Sequence, residues 1–417
     1  MKRIDPLYCL LLFVIVFASC HKDNPITKKY AQGINLDLNS TELHQATADN
    51  AFTFNLFKTV QASNISNNTN NLFLSPLSVS FALGMTANGA KGATLDGIKS
   101  TLDFSGFTQD QMNSYYNHLI TDLPKLDPQT TLSIANSIWY RQGFSVLPTF
   151  VTTDSTYFHA TIQGLDFNNP ASPGVINNWV NKQTNGKIPS IVDQISPDDV
   201  MYLINAIYFK SIWSTKFDAS QTHPASFYTP DGSTVQASFM KGTVNYNYSA
   251  DDKATMVELP YINNKYSMVI IYPNGSNTLG NMISSLDTAT WNHYANSMHG
   301  VNGQVNMPKF KFSYSVLLND ELSQLGMGNA FSSAADFTGI NASGGLQITK
   351  VQHKAFVAVD ESGTEAAAVT SVTVGLTAVL NPPVITIDHP FLFVIREMKS
   401  GLILFEGTVN NPLLSGE

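Results

Sequence analysis

The amino-acid sequence predicts an α+β fold built as one large body, and three observations lead there. Apolar residues at helical spacing dominate the first third, strand-like runs dominate the last third, and from about residue 46 onward no linker interrupts the pattern. Helices and strands do not alternate as βαβ units, and there is no internal repeat. At 417 residues the chain has length for two or three domains, but the unbroken pattern argues for one. It has 43% hydrophobic and 13% charged residues, against about 25% charged in an average soluble domain. It can therefore bury a large core and is not a disordered chain. Acidic residues outnumber basic ones, 31 to 23, giving a net charge of −8 with no basic run. That composition argues against nucleic acid as a partner. No apolar stretch reaches the roughly 18 residues of a spanning helix.

The chain opens with Met1-Lys2-Arg3, an apolar run from Leu7 to Phe17 and the small residues Ala18 and Ser19. This is the make-up of a secretory signal over residues 1–19. Phe17-Ala18-Ser19-Cys20 resembles the bacterial lipobox, with Phe17 where Leu is usual. The resemblance implies that Cys20 becomes the lipidated first residue of an exported, membrane-anchored protein. His21 rather than Asp follows, which in a bacterium with two membranes favours the outer membrane or cell surface. A lipidated Cys carries several acyl chains, enough for stable anchoring; without the lipid the protein is secreted. Residues 20–44 are polar and aperiodic and read as a flexible tether, with the folded domain expected over 45–417. Cys9 leaves with the signal, so the folded part has no disulfide, thiol nucleophile or Cys-ligated zinc.

Along the folded part, 46–62 places Ala51, Phe54, Leu56, Phe57 and Val60 at helical spacing. The Asn-rich stretch 64–71 is a loop, and Leu72-Phe73-Leu74 is strand-like. Ser75-Pro76 then starts a helix, with Ser at the N-cap and Pro at the first helical position. Further helices are predicted near 108–124, 148–158 and 171–183. Strands are predicted at 131–140, 200–210, 265–273, 304–312, 350–360, 390–396 and 402–408.

Catalytic signatures are absent: no G-x-S-x-G, H-E-x-x-H, Walker A or G-x-G-x-x-G occurs. None of the nine His lies at i, i+4 from another, and His353 and His389 read as structural histidines. Ser238-Phe-Met-Lys241, Tyr261-Ile-Asn263 and Lys399-Ser400-Gly401 do follow the order of penicillin-binding proteins and serine β-lactamases. That chemistry needs Ser and Lys one helical turn apart, whereas 232–249 reads as strand and turn.

The segment after 350–361 is unusual. Val351, Ala355, Val357 and Val359 share one face of a strand, and Ser362-Gly363 breaks it. Thr364 to Val374 then resumes strand periodicity, with Ala366, Ala368, Val372 and Val374 on one face and Glu365, Ser371 and Thr373 on the other. Periodicity alone favours a further hairpin strand; small residues beyond a completed strand also suit a segment that joins a sheet.

Asp360-Glu361-Ser362-Gly363-Thr364-Glu365-Ala366-Ala367-Ala368, continuing to Val369, resembles the mobile hinge of the serpins. The resemblance covers nearly the whole chain from about residue 46. It includes 71–78 at the start of the second helix, 178–181 with 184–188, 203–210 with Trp213, 388–393, and 401–412. It implies a single serpin-like domain with a large central β-sheet, further β-sheets, eight or nine helices and an exposed reactive loop at about 362–383. It also implies a monomeric, non-enzymatic inhibitor without metal or cofactor, whose partner is a serine protease, or a cysteine protease, trapped as a covalent acyl complex. The protease cleaves the loop, which inserts into the large sheet as an extra strand. Residue by residue, Ser75, Ser78, Asn205 and His353 resemble the polar cluster where the sheet opens. Trp213 resembles the aromatic residue at the insertion point, and Glu361 with Lys309 the ion pair at the top of the sheet.

The cleaved bond lies within Leu376 to Leu380. Counting sixteen residues from Glu361, as the family usually does, gives Thr377–Ala378; counting back from His389-Pro390-Phe391 gives Val379–Leu380. These residues are small or apolar, which suits an elastase- or subtilisin-like pocket and not a trypsin-like one. The alternative is a non-inhibitory serpin acting as a binding protein, against which the small hinge residues argue.

Overall fold

The computed structural model describes residues 30–64, 70–196, 199–365 and 383–415. The body begins at Ala31. Its α-helices are α1 (Ser40–Ser63), α2 (Pro76–Ala87), α3 (Gly92–Thr101), α4 (Gln109–Asp122), α5 (Pro148–Tyr157), α6 (Ser172–Gln183), α7 (Leu279–Ser285), α8 (Thr288–Ser297) and α9 (Asn319–Leu322). The first eight strands are β1 (Leu72–Leu74), β2 (Thr131–Arg141), β3 (Thr161–Leu165), β4 (Met201–Ile212), β5 (His223–Tyr228), β6 (Thr234–Ala250), β7 (Ala254–Pro260) and β8 (Tyr266–Pro273). The rest are β9 (His299–Pro308), β10 (Phe310–Leu317), β11 (Gln352–Asp360), β12 (Gly363–Thr364), β13 (Ile385–Thr386), β14 (Phe391–Glu397) and β15 (Ile403–Val409).

Two sheets hold the strands. A six-stranded sheet runs β10-β11-β12-β4-β2-β3, and a nine-stranded one runs β1-β15-β14-β8-β7-β6-β9-β13 with β5 paired to β6. Strands β14, β15, β7 and β8 are buried on both faces, so they read as continuous apolar runs such as Phe391-Leu392-Phe393-Val394-Ile395. Their core is aromatic: Phe73 stacks on Phe393 and Phe405, with ring centroids 5.5 and 5.4 Å away. Strand β11, by contrast, alternates, with His353, Ala355, Val357 and Val359 buried.

The capping chemistry acts as the sequence requires. The Ser75 side chain accepts from the Ser78 amide at the start of α2, where Pro76 needs no N–H partner. Helix α1 has a full capping box between Asn39 and Glu42. That cap puts the start of α1 at Ser40, six residues before the predicted onset.

The flexible tether expected over 20–44 is corrected in its last part. Residues 31–39 lie against the body. Leu36 is buried, Gln32 donates to Asn263 Oδ1 at 2.8 Å, the Asn263 amide donates back to Ala31 O at 3.0 Å, and Asp37 pairs with Lys399. Gly33 passes so close to the backbone of Lys125 and Leu126 that an added Cβ would sit 2.2 Å from Leu126 O. The run predicted as one strand at 304–312 is two, broken at Lys309, whose amide bonds Ser238 O across the sheet. Ser238 and Lys241 lie in β6, so the helical turn that an acyl-serine enzyme needs is absent there.

Candidate functional site: a slot in the six-stranded sheet

The site is the line between β4 and β11. At its upper end the two strands are joined through β12, which pairs antiparallel with both: Gly363 opposite Ile212 and Asp360, Thr364 opposite Ser211 and Val359. Among the described residues nothing pairs β4 with β11 below Thr364. A cavity of about 360 Å³ lies there, lined among others by Val79, Leu203, Asn205, His353 and Lys354.

The upper end is tightly held. Gly363 has φ 153, and a Cβ there would lie 2.1 Å from Ser211 O, so only glycine lets the chain approach β4 this closely. Thr364 is 3% exposed, and its hydroxyl bonds the Tyr261 phenol at 2.5 Å. Tyr261 in turn stacks on Trp213, with centroids 4.6 Å apart and planes at 5°. Trp213 donates from its backbone to Ser362 O and from Nε1 to Asp360 O, both at 2.9 Å. Beside it, Lys309 Nζ lies 2.9 Å from Glu361 Oε2, and the Thr222 hydroxyl donates to Glu361 Oε1 at 2.6 Å. Burial raises the Glu361 carboxyl, but Thr222 and Lys309 outweigh it and hold the group below the usual carboxylate range.

The lower end is spanned from beneath by the first turn of α2. The Ser75 amide donates to His353 Nε2 on β11 at 3.1 Å, and Ser75 Oγ donates to Leu404 O at 2.8 Å. Ser78 Oγ donates to Asn205 Oδ1 on β4. Asn205 then donates to Asn136 Oδ1 at 2.7 Å, and Asn136 to Phe158 O at 2.8 Å. Burial pushes the His353 imidazole down to about 4, so it is neutral at neutral pH and accepts from Ser75.

The structure thus brings Ser75, Ser78, Asn205 and His353 together at one end, and Trp213, Lys309, Glu361, Ser362, Gly363 and Thr364 at the other. One expectation moves. The reactive loop is expected from about 362, but Ser362 is 9% exposed and, after the turn at 361–362, Gly363 and Thr364 belong to the sheet. Ala366, Ala367, Ala368, Val369, the bait window Leu376 to Leu380 and Cys20 lie outside the described residues. Sequence reasoning missed Asn136, Tyr261 and Thr222 as members of these clusters. Asn136 was visible as a polar residue in mid-strand; Tyr261 and Thr222 carry no local signal, because only the tertiary fold brings them to the hinge. Among the described residues no cluster of His, Cys, Asp and Glu could hold a metal, and no helix is long and apolar enough to cross a membrane.

The two sheets, the helices around them and the short strand β12 between β4 and β11 define the class of protein by its fold. The family model described as Serpin (serine protease inhibitor) matches residues 47–412, and the chain belongs to the serpin family. Iripin-8 of Ixodes ricinus is 36% identical over 382 residues, covering 88% of this chain and 93% of that protein. The leukocyte elastase inhibitor of Homo sapiens is 32% identical over 381 residues, covering 88% and 99%. Among solved structures, the thermophilic serpin tengpin in its native state superposes with a TM-score of 0.80 at 32% identity, covering 92% and 97% of the two chains. Thyroxine-binding globulin in complex with thyroxine does so at 0.79 and 28%, covering 88% and 99%. The matched family is one of protease inhibitors, so the chain is not a catalytic enzyme.

Proposed function

We propose that this protein is a suicide-substrate inhibitor of serine proteases with elastase- or subtilisin-like pockets. The observation that carries the reading is the seating of Gly363 and Thr364 between β4 and β11, above a stretch where no described strand joins the two. The protease serine attacks the bait bond, the amide breaks, and the amine leaves with the C-terminal part of the loop. The acyl-enzyme now hangs on a free strand end. That strand zips into the slot and carries the protease away before water can release it.

The register of β12 indicates what insertion does. Extended down the slot, it sets Ala366 and Ala368 opposite Phe209 and Ile207 of β4, Thr370 opposite both Asn205 and His353, and Val372 opposite Leu203. Small side chains therefore pass the aromatic upper part. Thr370 would bring a hydroxyl to the rung that holds Asn205 and His353. Val372 and Val374 each contribute roughly 1.5–3 kcal/mol if fully buried.

Relatives named leukocyte elastase inhibitor, together with the small and apolar residues at 376–380, support the choice of target class. Export with a lipid on Cys20 is part of the same proposal. The second reading is a carrier without inhibitory activity, favoured by the likeness to thyroxine-binding globulin. Incubation with pancreatic elastase separates the two. An SDS-stable complex and a released C-terminal peptide starting at Ala378 are expected, or at Leu380 if the count from the C-terminal side holds. Clean turnover with no complex would overturn the inhibitor reading.

A further inference from the structure

Glu365 decides where the seated segment stops, an inference that rests on the inhibitor reading. The Glu365 amide donates to Ala358 O at 2.8 Å, continuing the ladder between Thr364 and Val359. Its backbone then enters the left-handed region, with φ 55. A residue with a Cβ disfavours that conformation, and a strand cannot run through it. Something must hold Glu365 there.

Lys187 and Tyr208 meet its side chain, and Lys187 in turn lies over a ring of β11. Lys187 Nζ pairs with the Glu365 carboxylate. Lys187 stands just after α6, where Asn185 at φ 49 and Gly186 at φ 81 turn the chain. Burial pushes the Tyr208 phenol on β4 up, and the neighbouring Glu365 carboxylate pushes it further. The Lys187 ammonium also lies 5.4 Å from the Phe356 ring centroid on β11. Lys187 thus reaches both the β11 side of the slot and the last seated residue, while Tyr208 holds that residue from the β4 side. The Glu365 side chain is 11% exposed and that of Lys187 is 37%, so the pair is shielded on one side only. Thr364 is gripped separately, by Tyr261.

We propose that Lys187 and Tyr208 are positioning residues for inhibition: they hold Glu365 in its left-handed turn and set the resting depth of the loop at Thr364. A loop resting at this depth has its first rung already made.

Hydrogen exchange of the 361–365 amides tests this without any protease. Lys187→Met is expected to raise exchange at the Glu365 amide about two- to fivefold, the range of a partly exposed ion pair. Lys187→Arg, which keeps the charge, should stay near wild type, and the melting temperature of the whole domain should hold in both. Tyr208→Phe should loosen the same amide. Unchanged protection in Lys187→Met, or equal loosening by Lys187→Arg, overturns the proposal. Failure of the inhibitor reading shows elsewhere, as the absence of an SDS-stable complex in the wild-type protein.

Discussion

The two ends of the slot are built from different physics. At the upper end, stacked rings and an ion pair clamp a strand that has arrived: Trp213 on Tyr261, Lys309 with Glu361, Thr364 under the Tyr261 phenol. At the lower end no described strand lies between β4 and β11. The first turn of α2 bridges the two with neutral hydrogen bonds, Ser75 to His353 and Ser78 to Asn205, beside a cavity of about 360 Å³. The difference teaches how the proposed mechanism divides its tasks. The upper contacts fix Gly363 and Thr364 in the sheet. On the inhibitor reading, the lower contacts are polar links that an incoming strand would exchange for its own at small net cost, because hydrogen bonds traded for hydrogen bonds change little.

The comparison can be broken most forcefully by filling the lower end. Cleavage within residues 376–380 should raise the melting temperature by about 15 °C or more, since a buried strand is added to the sheet. Cleaved and intact protein melting together in a scanning calorimeter would mean the lower end stays empty. Next comes spoiling the upper end. Thr364→Arg forces a charge into the site beneath Tyr261, costing several kcal/mol. The protein should then be turned over by elastase as a substrate, and an inhibition stoichiometry still near one would contradict the clamp.

A third test separates the ends by pH. His353 titrates at about 4 in the folded protein against 6.5 unfolded. Between those values the unfolded chain binds the extra proton. The stability that His353 provides is therefore complete above about pH 6.5 and is lost as pH falls toward 4, by about 2–3 kcal/mol. Glu361 is held below the usual carboxylate range and contributes its loss only at lower pH. Buried Asp49 acts in the opposite sense. Burial raises it to about 7, against the hydrogen bonds of Ser80, Tyr115 and Tyr116, and it favours folding as pH falls. Comparing His353→Gln with wild type isolates the histidine: the difference in denaturation midpoint between them should shrink from pH 7 to pH 5. A constant difference would show that His353 is not held neutral. The smallest effect belongs to the ion pair. Lys309→Ala should lower stability by about 1 kcal/mol, seen as a slightly earlier urea midpoint, with inhibition otherwise intact.

Much of this site could be read from the chain because its parts are local. A cap such as Ser75-Pro76 is written in two residues, the Gly363 that must touch β4 in one, and the inward face of β11 in an alternation. The strand β7 escaped because it is buried on both faces and so shows no alternation, and α3, where only Thr94, Ile98 and Thr101 face inward, because its inward stripe is mostly threonine; α7, α8, β3 and β5 were not predicted either. The partners that complete the clusters, Asn136, Tyr261, Thr222 and Lys187, were hidden for another reason. Each meets the hinge or the α2 turn through contacts tens to hundreds of residues apart in sequence, and no pattern along the chain encodes that. The segment 31–39 looked like a tether because its burial rests on one full anchor, Leu36, with Leu38 packed partly beside it, too few for a period.

That segment has a mechanical consequence. If Cys20 carries lipid as proposed, the spacer between lipid and folded body ends at residue 30 and not at 44, because 31–39 are packed down. Ten residues reach at most about 35 Å when fully extended. An inhibitor so anchored would meet the proteases that come within that reach of the membrane, and its effective concentration there would be set by the density of anchors and not by secretion into the medium.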